Sequence, residues 1–351
     1  MSPTEASTDA ETPEAETSLF DTESDTEVTR TDRYKQWIET WLLASARIAW
    51  SDWRVRIGSL IVLLYVLMGT VGVMLVPEPT IGAGPRYVGP FTNWQFPLGT
   101  DNLGRGILGQ IVHATPWMLQ MIAAGAVFST VIATAVGTLS GYKRGTVDQV
   151  LMTLTDIAMT IPGLPLVIVL AVLLQPKSPI LIGIVLTINA WAGLARSIRS
   201  QVLTLREESY IEASRTIGVP TRTIIREDVL PNLMPYVVVN FVQAARNVIF
   251  SSVGLYFLGL LPTSKPNWGV MMSRAYSTAG ALYTWDTAYW LIFPMITIIL
   301  LVFGLILFAQ GTDRLFNPRV RARHAGDSGG PSKSSDDEGP AANPDESKGM
   351  F

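Results

Sequence analysis

The sequence predicts an all-α, polytopic membrane protein with about six transmembrane helices, and three observations predict it. Apolar residues make up 48% of the 351 positions and charged residues only 16%. The apolar residues are clustered: 57–76 is a run of 20 residues without a charge. Comparable runs recur near 118–142, 150–174, 178–195, 233–256 and 290–310. One helical pass through a hydrocarbon core takes roughly 20 mostly apolar residues, so six passes are expected. The third observation is charge placement. With six passes both termini share one side, and that side collects 18 Lys and Arg against five on the other. Cationic loops stay in the cytoplasm, which predicts cytoplasmic termini and a cytoplasmic 196–231 segment.

Composition divides the chain further. Residues 1–31 hold nine acids and one base, and residues 325–351 hold six acids and two bases, in Ser-, Thr-, Pro- and Gly-rich surroundings. Such segments have too little apolar surface to offset ordering entropy, so both ends, 1–31 and 320–351, are expected to be disordered acidic tails without a cleaved signal. Residues 32–54 place Trp37, Trp41, Ala44 and Ile48 on one helical face. This suggests an amphipathic helix in the headgroup layer or, alternatively, one packed on another chain. The six-span region is 55–319. Its first outside loop, 77–115, is dense in Pro and Gly, and Pro162 and Pro165 should kink the third span.

Several chemistries are excluded or unsupported. The chain has no cysteine, hence no disulfide and no thiolate nucleophile or ligand. Its two histidines, His113 (in an expected loop or interfacial segment) and His324, are far apart and lack metal-ligand spacing. No GxxxxGK[ST] loop exists to cradle a nucleotide. An integral-membrane enzyme would need a nucleophile, base or metal set at membrane depth. No such set is visible, so the chain is expected not to be an enzyme and to bind no cofactor or metal.

Polar residues inside spans are costly enough to suggest function. Asn240, Gln243, Asn247, Ser251 and Gly254 fall within about 80° of one another at 100° per residue. This stripe either lines a solute path or packs helices together. On the third span Thr153, Asp156 and Thr160 share a face, and Asp156 is expected to pair with Arg196 or Arg199.

The 205–231 segment is polar and lies between two spans. Tyr210–Ile217 has no helix breaker, and Glu212 sits in an early turn where the helix dipole favours a carboxylate. Gly218 suits the C′ position, Pro220 suits the first position of a second helix, and Pro231 marks the expected boundary with the next span. Ile224 or Ile225 with Val229 would give a small apolar face. The expected product is two short helices with a fixed bend, suited either to docking in a protein groove or to lying on the membrane.

The pattern Glu212-Ala213-Ser214, Gly218, Leu230-Pro231 resembles the EAA loop of permease subunits in ATP-binding-cassette importers. "PLGTDNLGRG" at 97–106, "DQVLMTLTDIAMTIP" at 148–162, "WAGLARSIRSQVL" at 191–203, "GLYFLGLLPTSKPNWG" at 254–269 and "GTDRLFNPR" at 311–319 resemble the C-type permeases of the dipeptide/oligopeptide/nickel importers. Gly106 and Asn317 stand where that family usually has Asp. The resemblance implies a type I importer permease fold. It also implies an ATPase-coupling loop comprising Glu212, Ala213, Ser214, Gly218, Ile225, Leu230 and Pro231. The implied partners are a second homologous permease, two cytoplasmic ATPases that bind the ATP, an extracytoplasmic solute-binding protein and the lipid bilayer, with no nucleic acid. Di- or oligopeptides lead as solute; nickel chelates or another small solute are the alternative. A passive channel would not require the bent docking loop.

Overall fold

The structure is a computed structural model and describes residues 52–261 and 265–315. The expected acidic tails, most of the 32–54 amphipathic helix, His324 and Asn317 lie outside the described residues. Among those residues the secondary structure is helical, with one isolated bridge between Thr100 and Gly106. Ten helices follow in order. They are α1 Trp53–Leu75, α2 Ile107–Lys143, α3 Gly145–Thr160, α4 Gly163–Leu174 and α5 Pro179–Leu186, then α6 Trp191–Leu205, α7 Ser209–Thr216, α8 Thr221–Phe257, α9 Trp268–Ala279 and α10 Trp285–Leu315.

Four of these, α1, α2, α8 and the Trp285–Gly311 part of α10, are each long and apolar enough to cross a membrane unbroken. The expected third and fourth spans are instead bent pairs. α3 and α4 meet at 84°, and α5 and α6 at 62°, so six passes result only if each pair is one span. The first break has a local cause. Pro162 excludes its predecessor from helical backbone, and Ile161 sits at φ −78°, ψ 121°. The Asn189 amide donates to the freed Ile161 carbonyl at 3.1 Å, which satisfies a backbone group that the break leaves open. At the second break no proline acts. Thr187 leaves the helix at φ −117° and its hydroxyl donates to the Gly183 carbonyl at 3.0 Å.

α2 is the central element. At about 1.5 Å per residue its 37 residues run roughly 55 Å. It packs along α6, α5 and α8, while α10 packs along α1 and also touches α8 and α9. Small residues permit these approaches. A Cβ on Gly183 would lie 2.2 Å from the Met121 carbonyl oxygen, and one on Gly125 would lie 2.7 Å from the Gly183 carbonyl oxygen. α5 and α2 thus touch backbone to backbone, as small residues allow between membrane helices. Gly304 of α10 likewise meets Ile61, and Gly58 of α1 meets the backbone of Gly304 and Phe308. The outward faces carry Leu60, Leu63, Met74, Leu173, Ile299 and Phe303, all exposed in the isolated chain. An apolar surface of this extent is suited to lipid contact rather than water.

α2 begins at Ile107, inside the stretch expected to be loop, and His113 is therefore helical. The His113 ring Nε2 lies 2.9 Å from the Val76 carbonyl oxygen, tying the end of α1 to α2. Trp268 of α9 is buried on the same part of α2, its indole N–H donating to the Ile111 carbonyl at 3.2 Å. This packing explains helix in a stretch whose polarity signals loop.

The preceding loop, 76–106, is ordered around one carboxylate. Asp101 is fully buried and accepts from the backbone N–H groups of Leu103 and Arg105, each at 2.9 Å. It also accepts from Arg105 Nε at 2.7 Å and Gln110 Nε2 at 3.1 Å. The neighbouring Thr100 carbonyl accepts from the Tyr289 hydroxyl at 2.7 Å, fastening the loop to α10. Gly104 has φ +70°, and a Cβ there would fall 2.2 Å from the Gly84 carbonyl oxygen. Both the left-handed backbone and the close approach require glycine at that position.

Candidate functional site: the polar loop and the cavity on α8

Two features lie on or beside α8. The first is the 205–231 loop. α7 has Glu212 in its first turn and Arg215 in its last, a charge order that suits the helix dipole. It ends in a Schellman motif. Gly218 N–H donates to the Arg215 carbonyl at 3.1 Å, Val219 N–H donates to Ser214 at 3.0 Å, and Gly218 has φ +89°. Pro220 then caps the next helix rather than opening it, with Thr223 and Ile224 N–H groups donating to its carbonyl at 2.9 and 3.1 Å.

The expected stop at Pro231 is absent. α8 runs from Thr221 to Phe257 as one helix, including a π-helical turn at Ile225–Val229. Proline at position 231 supplies no N–H and crowds the carbonyl four residues earlier. The wider π turn just before it relieves that crowding without ending the helix. The expected pair of short helices is therefore one short helix, α7, and the N-terminal end of a long one.

The small apolar face expected for docking is also redirected. Ile211, Ile224 and Val229 are buried against Tyr142, Ala195, Ile198 and Val202 of α2 and α6, and Ile225 is only partly buried. These residues hold the loop to its own bundle. Glu212, Ala213, Arg215, Thr216, Gly218 and Arg222 face out, while Ser214, Leu230 and Pro231 are half-buried. Ile217 is 81% exposed at the bend, a lone apolar tip beside Gly218 that the residue pattern did not single out.

Ion pairs and hydrogen bonds brace this end. Arg206 donates to the Tyr142 carbonyl at 2.9 Å, and its guanidinium lies over the Tyr142 ring, 5.7 Å from its centre. Burial, with Arg144 and Arg215 nearby, holds its pKa below the ordinary guanidinium range. Burial, with Glu208 and Asp228 beside it, raises the Tyr210 phenol. Arg199 grips Asp148 at 2.6 and 2.5 Å, and the Ser140 hydroxyl also donates to that carboxylate. Asp156 pairs with Arg196, one of its two expected partners. The Arg199–Asp148 fork was not evident from sequence because its members are far apart in the chain.

The second feature is a cavity of about 320 Å³ between α8, α2 and the α5–α6 break. Asn240, Gln243, Asn247 and Ser251 all line it, facing Ser129 and Thr187; Gly254 does not. Asn240 Nδ2 donates to the Tyr236 carbonyl of its own helix at 2.8 Å. Gln243 and Asn247 are exposed to the cavity and make no side-chain hydrogen bond among the described residues. The four polar residues thus occupy one wall, and the break at Thr187 supplies part of another. No cluster of metal-ligating side chains occurs among the described residues.

Residues 133–322 match the family described as binding-protein-dependent transport system inner membrane component. The oligopeptide transport system permease protein OppC of Bacillus subtilis is 32% identical over 225 residues, covering 64% of this chain and 72% of that protein. The dipeptide transport system permease protein DppC of the same organism is 30% identical over 267 residues, or 75% and 81% of the two chains. OppC of Haemophilus influenzae is 32% identical over 226 residues, covering 64% and 70%. The fold, the loop and these matches agree: the chain belongs to the binding-protein-dependent transport system inner membrane component family, and is a multi-pass permease subunit rather than an enzyme.

Proposed function

We propose that the chain is the C-type permease of an ATP-driven importer of di- or oligopeptides. The named substrates of its relatives support the solute. In this reading both termini and the α7–α8 loop are cytoplasmic, as the excess of Lys and Arg on that side favours. A second, homologous permease stands beside this one, two ATPases that bind the ATP sit on the cytoplasmic face, and a solute-binding protein docks on the opposite face. The chain itself holds no cofactor.

The observation that carries the coupling role is the continuity of α8. Its N-terminal end forms half of the bent loop, and its interior face carries the cavity-lining stripe. An ATPase that grips Glu212, Ala213, Gly218 and the exposed Ile217 would move both ends of that helix together. Ser214, Ile225, Leu230 and Pro231 set the shape of the gripped segment. This is the alternating switch between two states that ATP-driven transport needs.

Gly218→Leu tests it. No side chain crowds the position, so the cost comes from φ +89°, which a branched residue adopts only with strain of about 1–3 kcal/mol. Uptake by the reconstituted complex and solute-stimulated ATP hydrolysis should both fall at least about tenfold, the equivalent of ~1.4 kcal/mol. Membrane insertion should stay normal, and unchanged uptake would remove the coupling role. The stripe has its own test in Asn240→Leu with Gln243→Leu. We expect altered peptide uptake or range with normal assembly; uptake and range identical to wild type would assign the stripe to packing.

A further inference from the structure

At the opposite end of α2 from the α7–α8 loop, a second cavity of about 320 Å³ opens between the 76–106 loop, the start of α2 and α9. Three cations line it: Arg105, Lys265 and Arg274. Val270 and Met271 of α9 and Pro79 supply apolar walls, and Gln110 and Asn267 add amides. An apolar pocket with a few convergent polar groups is the usual form of a small-ligand site.

The charges do not cancel inside it. Glu78 is the one carboxylate on the lining, exposed and without an ion pair among the described residues. Asp101 lies behind Arg105 and is already engaged by two backbone amides, Gln110 and Arg105 itself. Arg105 Nη2 is 2.6 Å from Asp101 Oδ2, yet that buried nitrogen has no partner in hydrogen-bonding alignment. Lys265 Nζ sits 4.4 Å from the centre of the Trp117 ring, a contact that places the ammonium without neutralising it. Arg274 makes no ion pair among the described residues. Burial first, and then the nearby Arg105, hold its pKa below the ordinary range, with Asp101 opposing. Cations grouped in this way favour an anion between them.

We propose that this pocket is a carboxylate site, in which Arg274 and Lys265 receive the carboxylate and Arg105 backs them. Two sources share that chemistry. One is the free C-terminus of a peptide, whose last side chain would rest on Val270 and Met271. The other is an Asp or Glu side chain on the solute-binding protein. Both rest on the peptide-importer reading and on this face pointing outward.

The test uses the whole complex in proteoliposomes, with trialanine as solute and Arg274→Gln/Lys265→Gln as the variant. A charge-assisted contact is worth enough for an effect of about tenfold or more. A binding-protein source predicts that loss in the affinity of trialanine-loaded binding protein for the complex. A peptide source leaves that affinity intact but lowers trialanine import at saturating binding protein by the same factor. Arg274→Lys, which keeps the charge, should retain most of either activity. If neither quantity changes in the double variant, the pocket is not a carboxylate site. Should the double variant fail to assemble, Lys265→Gln alone is read in the same two assays, with a smaller loss expected and an unchanged value again overturning the proposal. A wild-type complex that imports no trialanine would count against the peptide reading instead, while binding-protein affinity would still report on the pocket.

Discussion

Asp101→Ala should destabilise the permease by about 3–5 kcal/mol, the usual cost of removing one member of a buried ion pair. The expectation follows from what the substitution leaves behind. The Arg105 side chain is only 14% exposed, and its carboxylate partner is wholly buried. Without it the guanidinium keeps its desolvation cost and loses its counter-charge. The Leu103 and Arg105 amides and the Gln110 side chain lose their acceptor at the same time. Thermal unfolding of the purified protein in detergent, followed by tryptophan fluorescence, would show the loss as a large fall in midpoint. Asp101→Asn should fall between the variant and wild type, because an amide oxygen still accepts from the two backbone groups but carries no charge. An Asp101→Ala midpoint equal to wild type would mean that the carboxylate does not organise the 76–106 loop.

Gly183→Leu should be the other severe change. Even the first carbon of the new side chain would lie 2.2 Å from the Met121 carbonyl oxygen and 3.0 Å from the Gly125 backbone nitrogen. Neither atom can rotate away, so α5 and α2 must separate. Overpacking of this kind costs about 1–3 kcal/mol and more where backbone must move. Because Leu186 and Thr187 continue from α5 into the cavity wall, transport should fall along with stability. Gly193→Ala on α6 is the matching control. It has open space around its Cβ position and should be neutral or gain about 0.5–1 kcal/mol from helix propensity. Equal behaviour of the two variants, in unfolding and in uptake, would mean that the α2–α5 contact is not close.

The apolar runs made the membrane class legible because a bilayer imposes length and composition on each pass separately. Gly218 was legible for a similar reason, since a left-handed cap is a local demand met by one residue type. The α5–α6 break at Thr187 was not, as it has no proline and depends on tertiary packing. Pro231 misled because its crowding is absorbed by the turn before it, which a residue-by-residue reading does not contain. The docking face misled in a related way. Ile224 and Val229 are apolar whether they meet a partner or their own bundle, and only the bundle's position decides. The stripe from Asn240 to Ser251 was legible as a face, while the neighbouring Ser129 and Thr187 come from segments remote in sequence. Asp101 stood in a recognisable motif, yet its function as a loop organiser required seeing Gln110 and Arg105 close on it.

The π turn at Ile225–Val229 has a mechanical consequence. It lets α8 continue as one helix from Thr221 to Asn240, past Pro231 and with Pro235 inside it, about 28 Å at 1.5 Å per residue. A jointed connection would dissipate a displacement of the loop as rotation at the hinge. If the helix holds its line through Pro231 and Pro235, a tilt imposed at Thr221 would reappear as an opposite swing at the cavity wall, scaled by where the helix pivots. The pivot then becomes a measurable quantity. Paired spin labels at the two ends of α8, read with and without ATP, should move in a fixed ratio, and independent movement would locate a hinge within the helix.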